Sequence, residues 1–232
     1  MKKYIILFLF IPGLLSGQSR QIVESVSGED VSKRVSHRMQ YVFPEFTNGE
    51  VFYIGMPKVS GSLNYNMLVG EMQFVENGQV LALADIERVL LVSIDNRKFY
   101  RFKKNEFAEE LYSTGSCFLR ARYRGNAVTH GKKGAYGTTS STASITSYSS
   151  YSANNQTFNL NVAEEVLVSV DNFYYLVGTN GKYTQIKNVK AFTKHFPKYK
   201  SQIEAFVKEN NIKFNDQNSL ISLLAFCSTL EN

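Results

Sequence analysis

The stretch that decides the fold runs from residue 71 to residue 84 and reads EMQFVENGQVLALA. Phe74, Val75 and Val80 favour β-strands, and Leu81 and Leu83 add apolar side chains after Asn77-Gly78. Asn-Gly supplies the positive φ angles that a two-residue hairpin turn requires. The stretch therefore predicts two antiparallel strands, Glu71–Glu76 and 79–84, joined by a tight turn.

Strand-like segments of the same kind continue in both directions from this hairpin. They lie at 51–54, 63–68, 89–94, 98–102, 107–112, 117–124, 156–162, 165–170, 173–177 and 182–186. Turn-forming pairs such as Asn180-Gly181 separate them at intervals of about ten residues. We therefore predict an α+β, mainly β fold. Residues 41–187 would form an antiparallel β domain, either a meander sheet or a partly open barrel or sandwich.

A short sequence is repeated within this domain. Residues 91–96 read LVSIDN and residues 167–172 read LVSVDN, and an aromatic strand follows each. Either the domain contains two related hairpins, or unrelated hairpins reuse the same turn chemistry. Both alternatives predict one turn at Asp95-Asn96 and another at Asp171-Asn172.

The C-terminal segment, residues 188–232, changes to a helical pattern. Asn188 can cap a first helix that Pro197 ends, and Asp216 or Asn218 can cap the last one. A segment of this size with an apolar stripe on one side makes only a marginal core alone. We therefore predict a bundle of two to three short helices packed on the β domain.

The first 17 residues have the layout of a secretory signal peptide. Lys2 and Lys3 precede an apolar stretch of about 12 residues, and the small residues Ser16-Gly17 follow it. A membrane-spanning helix needs about 20 apolar residues. We therefore expect an exported protein without a transmembrane segment, in the periplasm or outer cell envelope or outside the cell. Residues 18–40 are predicted to be a polar, loosely held lead-in.

Charge and histidine spacing argue against several classes of partner. The net charge is +6 for the whole chain, about +4 without Lys2 and Lys3, and no run of five like charges occurs. Nucleic acid is therefore not expected as a partner. The histidines at 37, 130 and 195 lack metal-ligand spacing, and no phosphate-binding glycine motif is found. No metal site and no cofactor is expected.

Two cysteines, Cys117 and Cys227, are too few for a disulfide framework. In an oxidising compartment they could form one bridge between a strand and the last helix. They could equally remain two buried thiols that behave as small hydrophobic residues. The sequence leaves both alternatives open.

Arginines alternate with apolar residues in the segment 117–124, where Arg120, Arg122 and Arg124 share one face of the predicted strand. Guanidinium groups suit phosphate and carboxylate ligands, so this row is a candidate anion site. The simpler interpretation, which we favour, is the solvent face of a half-buried strand.

The composition changes abruptly between residues 125 and 155, where Gly, Ser, Thr, Asn and Tyr dominate. Such a segment buries too little apolar area to order itself and is typical of a long loop. Tyrosines among small polar residues are also typical of recognition loops. Our hypothesis is that the insert binds an envelope protein or glycan; the alternative is a solvated linker. The candidate binding residues are Lys132, Lys133, Tyr136, Tyr148 and Tyr151.

Several short motifs together resemble an uncharacterised group of exported proteins of Bacteroidota. They are LNYN at 63–66, EMQF at 71–74, KGAYG at 133–137, the closing pattern Phe196-Pro197, Ile203, Val207-Lys208, Leu220-Ile221, and the Ser16-Gly17-Gln18 cleavage zone. The resemblance covers the chain from about residue 50 onward. It implies a periplasmic or outer-envelope location and no activity, because none is known for the group.

No catalytic constellation is visible, so we predict no catalytic residues and no enzyme. The adjacent acids Glu109-Glu110 would point to opposite faces of a strand and could not cooperate. The function expected is a non-catalytic envelope protein that binds or scaffolds. The alternatives are a hydrolase or other enzyme with a spatially assembled site, and a small-molecule or lipid binder that uses a cavity in the β domain.

Removal of the leader is directly testable. We expect cleavage between Gly17 and Gln18, because small residues follow the short apolar core there. N-terminal sequencing or intact-mass measurement of the exported protein checks this. Recovery of the chain in a membrane fraction with Met1 still present would contradict it.

Overall fold

Antiparallel strands make up most of the computed structural model, which describes residues 19–24, 34–103, 105–129, 132–133, 139–140 and 165–231. The strands are β1 (Ser19–Glu24), β2 (Thr47–Tyr53), β3 (Val59–Asn66), β4 (Glu71–Glu76), β5 (Gln79–Ala82), β6 (Val89–Ile94), β7 (Arg97–Lys103), β8 (Glu106–Ser113), β9 (Cys117–Thr129), β10 (Lys132–Lys133), β11 (Thr139–Ser140), β12 (Glu165–Gly178) and β13 (Tyr183–Gln185). The helices are α1 (His37–Gln40), α2 (Lys190–His195), α3 (Lys200–Glu209) and α4 (Gln217–Glu231). The predicted α+β, mainly β class is confirmed.

Eleven of these strands form one open sheet, in the order β1-β12-β9-β8-β7-β6-β2-β3-β4-β5, with β13 also paired to β12. The sheet consists of two meanders, β2 to β5 and β6 to β9. They meet where β6 pairs with β2. At the predicted turns Asn77-Gly78 and Asp95-Asn96 the backbone has positive φ at every residue, as tight hairpins require.

The sheet curls strongly, so that its far strands approach each other. The β3–β4 turn at residues 67–70 reaches β8 and β9, and the amide of Gly125 donates a hydrogen bond to the Met67 carbonyl at 2.8 Å. The Tyr65 hydroxyl approaches the Phe107 amide at 3.5 Å. The concave side of this curl holds the first hydrophobic core, with Tyr65, Phe99, Phe107 and Ile94 fully buried.

The turn predicted at Asp171-Asn172 is absent, and this prediction was wrong. Residues 165–170 and 173–177 belong to one continuous strand, in which Asp171 lies opposite Arg124 and Asn172 opposite Tyr123. The similar sequence at 91–96 does end in a turn. Because β9 pairs with β12 along its whole length, the ladder hydrogen bonds hold Asp171 and Asn172 extended against their local turn preference.

The segment predicted as a loosely held lead-in contributes ordered structure. Strand β1 pairs with the first half of β12, from Ser19 opposite Val170 to Glu24 opposite Glu165. Val23, Val35 and Met39 are buried in the first core. These few apolar side chains anchor a segment whose overall composition is polar.

The three C-terminal helices cover the other half of β9 and β12. Asp216 caps α4, since its carboxylate accepts a hydrogen bond from the Ser219 amide at 2.8 Å. Phe192, Ile203, Leu220 and Leu224 join β-strand residues such as Leu176 in a second hydrophobic core. Among the described helices, none combines the length and hydropathy needed to cross a membrane.

Gly125 lies where the curl brings two backbones together. A Cβ atom at this position would lie 2.6 Å from Leu68 Cδ2 and 2.7 Å from Leu68 Cα. The second contact is to backbone, which cannot move aside as a side chain can. Gly61 in β3 provides a contrast, because a Cβ there would meet nothing within 4 Å.

We therefore expect Gly125→Ala to lower the free energy of unfolding by about 2 kcal/mol, the usual cost of overpacking. Gly61→Ala is the matched control and should change stability by less than about 1 kcal/mol. Urea denaturation of both variants checks this. Equal effects of the two substitutions would show that the contact between Gly125 and the 67–70 turn does not constrain the fold.

Candidate functional site

A pocket of about 720 Å³ opens on the concave side, at the seam between the two cores. We call it the seam pocket. Its lining residues come from α1 and the segment after it, the β3–β4 turn, β7, β9 and β12. They are His37, Arg38, Tyr41, Val42, Pro44, Met67, Arg97, Tyr123, Val170 and Asn172.

A buried asparagine holds one wall of the seam pocket in place. Asn64 Nδ2 donates hydrogen bonds to the carbonyls of Phe43 and Glu45 at 2.9 and 3.1 Å. Its Oδ1 accepts one from the Phe43 amide at 3.1 Å. Residues 43–45 have irregular backbone, and Asn64 is fully buried. Its side chain therefore satisfies backbone N–H and C=O groups that would otherwise need water as a hydrogen-bond partner. The wall is therefore rigid.

Arg97 and Glu109 form a bidentate ion pair beside the pocket. Arg97 Nε lies 2.6 Å from Glu109 Oε1, and Arg97 Nη2 lies 2.5 Å from Oε2. The Tyr123 hydroxyl donates a further hydrogen bond to Oε2. The guanidinium stacks over the Phe43 ring, 4.7 Å from its centroid. Two planar contacts therefore hold the guanidinium in one orientation.

The two members of the pair differ in exposure. The Glu109 side chain is 6% exposed, whereas that of Arg97 is 36% exposed. Nε and Nη2 of Arg97 bond to Glu109, and the guanidinium also interacts with the Tyr123 hydroxyl. Arg97 lines the seam pocket, so the exposed part of its side chain is open to the pocket while Glu109 balances its charge.

Both hydrogen-bond donors at Glu109 keep their protons. Burial opposes the charge on Arg97, but the hydrogen bonds and charge of Glu109 outweigh it and raise the pKa of Arg97 above its ordinary value. Burial raises the pKa of Tyr123 well above its ordinary value, and the Glu109 charge raises it further. At neutral pH both groups are therefore donors, and neither can act as a general base.

The mouth of the pocket carries the further positive charge of Arg38. His37 and Arg38 lie on α1 and are exposed. The His37 ring stacks on Tyr41 with ring centroids 4.5 Å apart. The Tyr41 hydroxyl is in turn held by Gln73 Oε1 at 2.9 Å. None of the ten lining residues is acidic, and two of them, Arg38 and Arg97, are arginines.

The arginine row of β9 is not a solvent face, and the interpretation favoured from the sequence was wrong. The side chains of Arg120 and Arg122 are only 11% and 13% exposed. The Arg120 guanidinium stacks on Tyr100 at 3.9 Å, and Arg122 bonds to Glu106 at 2.6 Å. Aromatic residues of β7, β12 and β13 cover them, and periodicity within β9 could not reveal those neighbours.

The predicted insert site is largely outside the described residues. Lys132 and Lys133 belong to β10, which pairs with Thr139 and Ser140 of β11. Their side chains, and the tyrosines at 136, 148 and 151, are not among the described parts of the structure. The recognition hypothesis for this insert stays a prediction.

Glu109 and Glu110 do face opposite sides of β8, as their adjacency predicts. Glu109 pairs with Arg97 on the concave side, and Glu110 lies 3.5 Å from Arg120 on the outer side. Sequence reasoning discarded this acidic pair and missed Arg97 and Tyr123. The available signal was a charged residue, Glu109, on the same face as the apolar Phe107.

Within the described residues, no group of three or more His, Cys, Asp or Glu side chains could hold a metal ion. No protein-family model matches the chain, and no curated protein or solved structure matches it either. The interpretation of the seam pocket therefore depends on its own geometry.

Cys117 and Cys227 are both buried in the second core, on β9 and α4, and both are free thiols. Burial raises the pKa of Cys117 to about 11. Burial, together with the neighbouring Cys117, raises the pKa of Cys227 to about 12. The thiolate is the reactive form, so these shifts keep both cysteines unreactive.

We expect alkylation of the folded protein by iodoacetamide at about pH 8 to be at least a hundredfold slower than that of the unfolded protein. A pKa raised by two units lowers the thiolate fraction by this factor, and burial slows access further. Mass spectrometry of timed samples checks the rates. Thiol titration in denaturant should find both thiols. Finding neither would reveal a disulfide and contradict the free state.

Proposed function

We propose that this protein is a non-catalytic binding protein of the cell envelope and that its seam pocket holds a small organic anion. The observation that carries the proposal is the position of Arg97, which lines the pocket, is 36% exposed, and is held in place by Glu109 and Phe43. A preorganised guanidinium is the usual protein partner for carboxylate, sulfonate and phosphate groups.

The remaining lining residues suit an apolar body attached to the anionic head. Val42, Pro44, Met67 and Val170 provide apolar walls, and the Tyr41 ring provides an aromatic one. The volume, about 720 Å³, lies in the range typical of small-molecule sites. An organic anion satisfies both parts of the pocket, whereas a bare inorganic ion would leave the apolar walls unused.

The chemistry of the pocket favours binding over catalysis. Arg97 and Tyr123 retain their protons. The cysteines lie in the second core and are kept as thiols. Catalysis would need a nucleophile hydrogen-bonded to a base. The contact between His37 and Tyr41 is a stack of their rings, and the Tyr41 hydroxyl bonds to Gln73 instead. The envelope location rests on the signal-like residues 1–17 and the resemblance described above.

Two fluorescent probes with the same ring system separate an anion site from a merely apolar one. Anilinonaphthalenesulfonate carries one sulfonate, and phenylnaphthylamine is its neutral counterpart. We expect the sulfonate to bind to the folded protein with one-to-one stoichiometry and at least about tenfold more tightly than the neutral probe.

Arg38→Ala should weaken sulfonate binding about fivefold, because it removes an exposed charge from the mouth of the pocket. Lys208→Ala, an exposed charge on α3, is the matched control and should have no effect. Arg97→Ala is a poorer choice, since it would leave the buried Glu109 carboxylate without a cation to balance its charge, at a cost of about 3–5 kcal/mol. Equal affinity for the two probes, or equal effects of the two variants, would refute the proposal.

A further inference from the structure

We propose that Glu109 is a positioning residue that restricts the seam pocket to ligands whose head group carries a single negative charge. This inference rests on the proposed function and names the ligand class more narrowly: carboxylates and sulfonates are accepted, and phosphate monoesters are disfavoured. Glu109 acts through Arg97, since it lies behind the guanidinium and does not line the pocket itself.

The first step of the argument is the charge balance of the pocket floor. Glu109 binds Arg97 through both carboxylate oxygens, at 2.6 and 2.5 Å. The pair is therefore neutral as seen from the pocket, although the exposed part of the guanidinium can still donate hydrogen bonds. An incoming anion gains hydrogen bonds from Arg97 but little net Coulomb attraction.

The second step concerns the distance between the ligand and Glu109. A ligand head group bound to the exposed part of the Arg97 guanidinium is separated from the Glu109 carboxylate only by that guanidinium. The carboxylate is almost fully shielded from water. Charges in such places are poorly screened, so a second negative charge on the ligand is repelled strongly. The positive group that could offset it, Arg38, is exposed at the mouth and is well screened.

Glu109 could instead have only a structural role, as a partner that keeps Arg97 and Tyr123 in place. Under that alternative its loss would lower stability and weaken binding of every anion alike. Under the proposal, removing its charge while keeping its shape changes the order of preference among anions. The ratio of two affinities therefore distinguishes the two roles.

Calorimetric titration with naphthalenesulfonate and naphthyl phosphate measures this ratio. At about pH 8 the sulfonate carries one negative charge and the phosphate carries close to two on the same ring system. The wild-type protein should prefer the sulfonate. Glu109→Gln should raise the affinity for the phosphate relative to the sulfonate by about tenfold, because Arg97 then faces the pocket with its full charge. An unchanged ratio in a folded Glu109→Gln protein would overturn the proposal.

The neighbouring acid supplies the matched control. Glu110→Gln makes the same chemical change one residue away, on the outer face beside Arg120. It should leave the affinity ratio as in the wild type. A shift equal to that of Glu109→Gln would show that the effect comes from the overall charge of the protein and would overturn the proposal.

Replacing both members of the pair keeps the test decisive if Glu109→Gln does not fold. Arg97→Met combined with Glu109→Met leaves no unpaired buried charge, and such replacements are often tolerated. This variant should melt as one unit, bind the sulfonate at least tenfold more weakly and lose the preference for the sulfonate over the phosphate; a preference kept in full would overturn the proposal, because Glu109 could not then be its source. Failure of the proposed function looks different, because the wild type would then bind neither anion.

Discussion

The long antiparallel ladder between β9 and β12 is the interaction on which the rest of the structure depends. It runs from Val166 opposite Thr129 to Gly178 opposite Cys117, and it forms one wall of both cores. Val166, Val168 and Val170 face the first core, whereas Tyr174 and Leu176 face the second. The curled meanders pack on one half of the ladder and the helices on the other. Neither half could hold its position without the strand pair they share.

The seam pocket is a consequence of this division. Between Val170 and Tyr174, position 172 is an asparagine paired with Tyr123, and it lines the pocket. Tyr123, opposite Asn172, is a side chain that packs against both cores. Glu109 lies on the neighbouring strand β8, opposite Ala121, which is two residues along β9 from Tyr123. The charged pair is thus placed beside the junction of the two hydrophobic clusters.

Turn-forming residues predicted the ends of strands correctly where no neighbouring strand continues past the turn. The prediction failed where pairing with a neighbouring strand keeps the turn-forming residues extended. Asn77-Gly78 and Asp95-Asn96 turn as their sequence indicates, but Asp171-Asn172 stays extended because β9 continues beside it. The class of fold and the helical tail follow from such local patterns. The seam pocket does not, since Arg97 meets Glu109 through the β7–β8 pairing and meets Phe43 through the curl of the sheet. Those contacts depend on register and curvature, which no local pattern specifies.

Strand β8 shows why ion pairing alone does not mark a binding residue. Its adjacent glutamates pair with arginines on opposite faces, and both carboxylates are largely buried. On the outer face, Arg120 is covered by Tyr100, Phe118 and Tyr183 and has little surface left. On the concave face, Arg97 stacks on Phe43 and Phe99 but keeps about a third of its side chain open. The same pairing chemistry therefore buries the guanidinium of Arg120 on one side of the sheet and holds the partly exposed guanidinium of Arg97 beside the seam pocket on the other, so the exposure of the arginine distinguishes the two pairs.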